Sequence, residues 1–270
     1  MATGPQQKRK ELREKRLKAE ASAKGGDRRE NLFKIIGVSA FVAIVAILIA
    51  VVALGGGDDD TSSKSSSDVT EQLAGIPQNG TVLGDPDAKV TLVEFGDLQC
   101  PICKQYAEDV LPGVITGPIK DGDANFDFNN WAILGEGSIL AGKAALAAAE
   151  QDRMWEFIEL FYANQGLEGS GYVTDDFLTD IAEQAGVPDI DKWNVDRESD
   201  AVEQTLLEID EQAVDQGFSG TPSFALRDAQ GNLTTVQANS TDPAENTQTI
   251  IDAINDANGS GGGNGGNGNS

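Results

Sequence analysis

Two cysteines stand three residues apart in Cys100-Pro101-Ile102-Cys103, and the 270-residue chain holds no other cysteine and no histidine. Two thiols on the first turn of a helix have a defined chemistry. The first lies near the helix N-terminus, where partial positive charge favours the thiolate. A thiolate attacks disulfide sulfur, and a thiol one turn away can close on it and release a bound partner. Pro101 suits a first helical turn, where its missing N–H is not needed. We therefore assign Cys100 as the nucleophile and Cys103 as the resolving thiol. An inert structural disulfide is the bland alternative, but closing a four-residue loop removes little chain entropy. Half of a zinc site shared between chains is the other, and the chain offers no further Cys or His to build it. The absence of histidine also excludes Ser-His-Asp and Cys-His catalysis.

The surrounding elements must present this pair. Lys89–Phe95 (KVTLVEF) is β-branched and apolar and reads as a buried strand, with Asp97–Gln99 leading into the cysteines. Thr81–Leu83 is a short strand before it. Residues 101–111 suit a helix, which Pro112 should kink or end. Asn125–Leu134 is a second main strand. From Ser138 to about Phe218 the chain reads as helical, with Thr174 as an N-cap and Val202, Leu206, Ile209 and Ala213 on one face. Ser223–Leu226 and Leu233–Val236 flank a turn at Asp228–Asn232, and Pro243–Ala257 is an amphipathic helix carrying Ile250, Ile251 and Ile254. This order is α/β with an all-helical insert. Chemistry in such folds sits at the carboxyl end of a buried strand, and both cysteines lie there.

The net charge of −24 divides unevenly. Residues 1–34 hold eleven basic and five acidic residues, a net +6; the remainder holds nine basic and thirty-nine acidic residues, a net −30. Ile35–Leu54 between them is twenty residues without a charge. A helix of that length, at about 1.5 Å per residue, spans a bilayer core of roughly 30 Å. The positive-inside rule then places residues 1–34 in the cytoplasm, near anionic lipid headgroups, and residues 55–270 outside. A cleaved signal peptide is the alternative; the long basic segment and the absence of a convincing A-x-A site speak against it. The acidic exterior lacks the basic footprint that nucleic-acid binding needs. Residues 55–74, beginning GGGDDDTSSKSSSD, read as a flexible linker, and the Gly/Asn/Ser-only stretch 258–270 as a disordered tail. The acid excess reads as solvated surface, and no D-x-D-x-D-G calcium loop occurs. Asn79, Asn232, Asn239 and Asn258 match the glycosylation sequon by pattern alone.

Residues 92–106, LVEFGDLQCPICKQY, resemble the active-site strand and helix of thioredoxin-fold proteins of the DsbA type. Gly220-Thr221-Pro222-Ser223-Phe224 resembles the cis-proline loop of that family, and Gln151–Phe157 (QDRMWEF) resembles the aromatic helix start of its helical insertion. The resemblance implies a thioredoxin fold over residues 75–257, with a helical insert at about 136–218, behind a single N-terminal transmembrane helix at 35–54. It implies a thiol-disulfide oxidoreductase of the cell envelope whose redox centre is the Cys100–Cys103 pair, with no other cofactor and no metal. Pro222 aligns with the cis-proline. Thr221 would then pair its backbone with an extended substrate strand, and Pro101 and Ile102 would complete the substrate surface. Glu94, six residues before Cys100, takes the place of a buried acidic residue in this fold, where a raised pKa lets it exchange a proton with Cys103. Asp97 reads as a loop cap. The partners implied are thiols of exported proteins or peptides, a membrane redox partner and, through residues 35–54, membrane lipid; no nucleic acid is expected. Pro101-Ile102 lacks the histidine common between the cysteines of strong oxidases, so the direction of electron flow stays open. A reductase or isomerase, or a redox-inactive peptide-binding module, would use the same fold.

Overall fold

The structure, a computed structural model, describes residues 65–260. The basic segment, the apolar run at 35–54, residues 55–64 of the expected linker and residues 261–270 of the expected tail lie outside the described residues. Among the described residues, no helix is long and apolar enough to cross a membrane.

The elements follow the order α1 (Ser66–Leu73), β1 (Gln78–Asn79), β2 (Val82–Leu83), β3 (Thr91–Gly96), α2 (Pro101–Asp109), α3 (Leu111–Val114), β4 (Asn125–Asn130), α4 (Glu136–Ala149), α5 (Met154–Ala163), α6 (Asp175–Gln184), α7 (Ile190–Asp196), α8 (Asp200–Asp215), β5 (Ser223–Arg227), β6 (Leu233–Val236) and α9 (Pro243–Ser260). A π-helical stretch at Ile115–Ile119 follows α3, broken at Gly117 before Pro118, where a residue preceding proline disfavours helical backbone. The sheet order is β1-β2-β4-β3-β5-β6. β3 and β4 run parallel in register Thr91↔Asn125 to Gly96↔Asn130, joined across α2. β5 pairs antiparallel with β3 and with β6. This is the α/β thioredoxin-like arrangement with a helical insertion, and α4 to α8 are that insertion.

β3 is central, so both its faces are covered, and the period-2 pleat assigns its side chains. Val93 and Phe95 face one way and bury with Trp131, Ile209 and Ala213, the last two from α8. Leu92 and Glu94 face the other way. Leu92 buries there with Phe126 and Phe128, and Trp155 of α5 packs with ring centroids 4.7 Å from Phe126 and 6.4 Å from Phe128. α5 therefore anchors the insertion to the sheet. Alanines fill α4, with Ala141, Ala144, Ala145, Ala147 and Ala148 all fully buried. Without long side chains, neighbours approach its backbone closely, and Trp193 of α7 donates its indole N–H to the Ala144 carbonyl at 2.8 Å. Thr174 caps α6 by accepting from Phe177 N, as its position before the apolar pattern requires.

β4 ends at Asn130, four residues short of the strand expected to Leu134, and two further boundaries, one near each end of the described residues, also differ from the sequence expectation. Residues 66–73, read as linker, form α1. Ser65 and Asp68 make a reciprocal capping box, and Val69 and Leu73, at i and i+4, bury against the core. Burying each fully is worth roughly 1.5–3 kcal/mol, which holds a helix too short to persist alone. At the other end, α9 continues through Asn258–Ser260, and the Asn258 amide donates to the Asp123 carbonyl at 2.9 Å.

Candidate functional site

The site lies at the carboxyl end of β3. Cys100 is the N-cap of α2 with extended backbone (φ −74, ψ 121), and Pro101 opens the helix. Cys100 is nearly buried, Cys103 is completely buried, and both are free thiols. The sulfur of Cys100 donates to the Thr221 carbonyl oxygen at 3.5 Å, across 121 residues of sequence. The Thr221–Pro222 bond is cis. The Asp97 backbone N–H donates to Cys103 Sγ at 3.5 Å.

The two thiols have opposed electrostatics. Cys100 is lowered to about 6 from the ordinary 9.0, first by the Cys103 thiol donating to it, against the cost of burial, then by the Thr221 side chain and the backbone N–H groups of Cys103 and Ile102. Those two N–H groups belong to the first turn of α2, whose donors have no partner inside the helix. The N-cap position makes no formal side-chain cap bond, yet the donors lie near enough to favour negative sulfur. Cys103 is pushed well above its ordinary value, first by burial, then as the donor to Cys100 and by the nearby Glu94. A pair whose proton affinities are driven apart separates an attacking thiolate from a proton-holding partner.

Glu94 is 1% exposed, and its Oε1 has no hydrogen-bond partner. Burial raises it to about 8, with Glu159 and Cys100 adding like-charge repulsion. Gly96 gives this carboxyl its room, since a Cβ there would stand 2.9 Å from Glu94 Oε1 and 2.8 Å from the Phe128 ring.

Pro222 and Thr221 line a hollow of about 450 Å³ beside the cysteines, shared with Ile102, Gln105, Tyr106 and Asn239. Pro222 also lines an adjoining hollow of about 280 Å³ with Gly220, Ser223 and Gln237. None of the described residues lining either hollow is charged. A larger hollow of about 660 Å³, at Lys89, Arg227 and Ala253, contains none of the redox residues. Ile102 is half exposed at the rim (49%); Pro101 is exposed and lines neither hollow at the site. The structure thus brings together Cys100, Cys103, Glu94, Thr221, Pro222 and Ile102, with Pro101 at the solvent edge of the group.

The loop is held by Asp97, read in the sequence as a loop cap, and by Asn130, Tyr162 and Gln165, which the sequence reading missed. Asp97 caps more than its own turn: Oδ1 accepts from Gln99 N at 2.9 Å, while Oδ2 accepts from Ile133 N at 2.8 Å and Leu134 N at 3.0 Å. Buried Asn130, at the end of β4, accepts from Leu98 N and donates to the Ser138 carbonyl. From the insertion, Tyr162 donates to the Asp97 carbonyl at 3.4 Å, and Gln165 Nε2 donates to the carbonyls of Leu98 at 2.7 Å and Cys100 at 3.1 Å. Glu159 and Tyr162, three apart on α5, share a face that lay beneath the aromatic pattern of the same helix in the sequence, while Gln165 lies two residues past the helix end.

Comparison with known proteins agrees with this geometry. Residues 77–252 match a family described as thioredoxin. Disulfide bond formation protein D of Bacillus subtilis is 37% identical over 122 residues, a match spanning 44% of this chain and 55% of that protein. The oxidised structure of BdbD from Bacillus subtilis aligns with a TM-score of 0.56 at 24% identity, covering 68% of this chain and 97% of that one. A thioredoxin-like oxidoreductase from Silicibacter pomeroyi aligns with a TM-score of 0.50 at 28% identity, covering 74% and 99%.

Proposed function

From the premise that the chain belongs to the DsbA-like thioredoxin-fold thiol:disulfide oxidoreductases, we propose that it forms disulfides in exported proteins, working outside the membrane on an N-terminal anchor at residues 35–54. The observation that carries the direction is the placement of Cys100 at the N-cap of α2, beside the first-turn backbone N–H groups, which favours its thiolate. It stabilises the reduced pair and so makes the disulfide form the better oxidant.

The steps balance as follows. A substrate thiolate attacks Cys100 Sγ of the Cys100–Cys103 disulfide. The Cys100–Cys103 bond breaks, a substrate–Cys100 bond forms, and Cys103 leaves as a thiolate that takes a proton from Glu94. A second substrate thiolate then attacks the substrate sulfur of the mixed disulfide. Cys100 leaves as the thiolate held by the first turn of α2, and two electrons remain on the pair. A membrane-bound electron acceptor re-oxidises Cys100 and Cys103. Thr221 and Pro222 present the backbone edge along which an extended substrate lies, with Ile102 and Pro101 beside it; main-chain pairing of this kind tolerates many sequences. The uncharged lining of the two hollows supports the same breadth of substrate.

The test is oxidation of a dithiol peptide by the oxidised full chain in detergent. Cys100→Ser abolishes it. A Cys100→Ser variant with wild-type activity overturns the redox assignment and favours a peptide-binding module.

A further inference from the structure

Glu159 sits on α5 with 3% exposure, buried in the same core as the redox pair. Its neighbours on the same face of α5 fix where that face points. Trp155, four residues before it, packs against the ring of Phe128, and Tyr162, three residues after it, donates to the Asp97 carbonyl, so this side of the helix runs beneath the redox loop. Glu94 projects toward α5 and α2 from the Leu92 face of β3, between the register partners Phe128 and Phe224. Its Oε1 lacks a hydrogen bond and lies in space that Gly96 leaves open. Two carboxyls are thus enclosed together behind Cys103. The other titratable groups in this enclosure are Cys100, Cys103 and Tyr106 of α2, Asp97 of the loop and Tyr162 of α5.

We infer that Glu159 is a positioning residue for the redox reaction, whose carboxyl behind Glu94 keeps a proton on Glu94 in the oxidised enzyme, ready for Cys103 as it leaves. This rests on Glu94 being the proton donor of the proposed reaction. Burial comes first in holding the proton on Glu94, and two like charges add to it: Glu159 and Cys100. The Cys100 charge exists only as the thiolate of the reduced pair. In the disulfide that contribution is gone, and Glu159 is the charge that remains. Two carboxyls sharing a buried site do not readily ionise together, so one proton stays between them as pH rises. When the substrate attacks, the proton passes from the Glu94 carboxyl to Cys103 Sγ. The negative charge moves from sulfur to Glu94, and no electrons are exchanged with either carboxyl.

The experiment follows oxidation of a dithiol peptide by the oxidised full chain in detergent, from about pH 5.5 to about pH 8.5, for wild type, Glu159→Gln, Glu159→Asp and Glu94→Gln. Taking each variant's rate relative to wild type cancels the ionisation of the substrate thiol. Lowering the proton affinity of Glu94 by about one unit takes the Glu159→Gln ratio from near one at the acid end to about 0.1 at the alkaline end. Glu159→Asp, which retains the charge, keeps the ratio near one throughout. A Glu159→Gln ratio that stays flat while Glu94→Gln is slow overturns the role of Glu159 alone. A Glu94→Gln variant matching wild type at every pH overturns the proton-donor reading beneath it. If Glu159→Gln does not fold, carboxyl ¹³C resonances of the oxidised wild type decide the matter. Two coupled titration steps are expected, and Glu94 titrating in one independent step refutes the inference.

Discussion

The depressed Cys100 proton affinity makes a sharp prediction for alkylation of the reduced protein. With Cys100 at about 6, about 90% of it is thiolate at pH 7, against about 1% for a thiol near 9. Nucleophilicity falls with basicity at a Brønsted slope of about 0.4–0.5, which over three units removes roughly twentyfold. The net gain at pH 7 is therefore only about fourfold, so absolute rate is a poor reporter and the shape of the pH profile is the good one. Iodoacetamide labelling, with peptide mass spectrometry to separate the sites, should show Cys100 reacting with a half-plateau near pH 6 and level above pH 7. Cys103, fully buried and raised, stays nearly unlabelled across that range. The largest single support is the Cys103 thiol, so Cys103→Ala should move the half-plateau upward by about one unit or more, as losing a hydrogen bond to the charged form requires. A Cys100 half-plateau between pH 8 and 9 in the wild type refutes the reasoning, because the α2 donors would then contribute nothing to the thiolate.

The remaining supports are open to the same kind of test. Thr221→Val removes a weaker donor and should raise the Cys100 half-plateau by less than Cys103→Ala does, measured in the same labelling series. Glu94 is an acid raised by burial from 4.5 to about 8; keeping it buried costs nothing below its unfolded value and progressively more as pH climbs toward the folded value. Glu94→Gln should therefore gain stability over wild type from pH 4.5 upward, reaching about 3 kcal/mol at pH 7 by denaturant titration of the reduced protein. Asp97→Ala strips acceptors from three backbone N–H groups of the loop and the segment after β4, and denaturant titration should show a loss of about 2–4 kcal/mol, since each buried unsatisfied donor costs about 1–3 kcal/mol.

The parts of this site that the sequence made legible are those with a local signature. KVTLVEF reads as a buried strand from its β-branched, apolar run, and the C-P-x-C that follows after four intervening residues reads as the opening of a helix at that strand's carboxyl end. The Gly220-Thr221-Pro222 resemblance aligned Pro222 with the family's cis-proline while leaving the isomer of this bond open, and the bond is cis. Glu94 was expected to be buried because of its place before the cysteines, and it is. What stayed hidden is held by contacts distant in sequence. Asn130 meets Leu98 across 32 residues and Gln165 meets Cys100 across 65, and such bonds leave no periodicity in either segment. Asn129 and Asn130 fall inside the segment read as a strand over Asn125–Leu134, and nothing there marks Asn130 as the residue that meets the redox loop. In α5, Trp155, Phe157 and Phe161 dominate the pattern, so Glu159 and Tyr162 look like interruptions rather than parts of a functional face, and Gln165 lies just past the helix end. The α1 boundary had a weak signal in Ser65-x-x-Asp68 with Val69 and Leu73 four apart, but serines and aspartates on its N-terminal side carried the compositional reading toward a linker.

The account stands most directly on the equilibrium potential of the Cys100–Cys103 pair, measured on the full chain against glutathione redox buffers. A stabilised thiolate on the reduced side, without a histidine between the cysteines, predicts a value well above that of thioredoxin, toward the about −120 mV of a strong dithiol oxidase. A value near about −270 mV would contradict it, because the pair would then be poised to reduce disulfides rather than to form them.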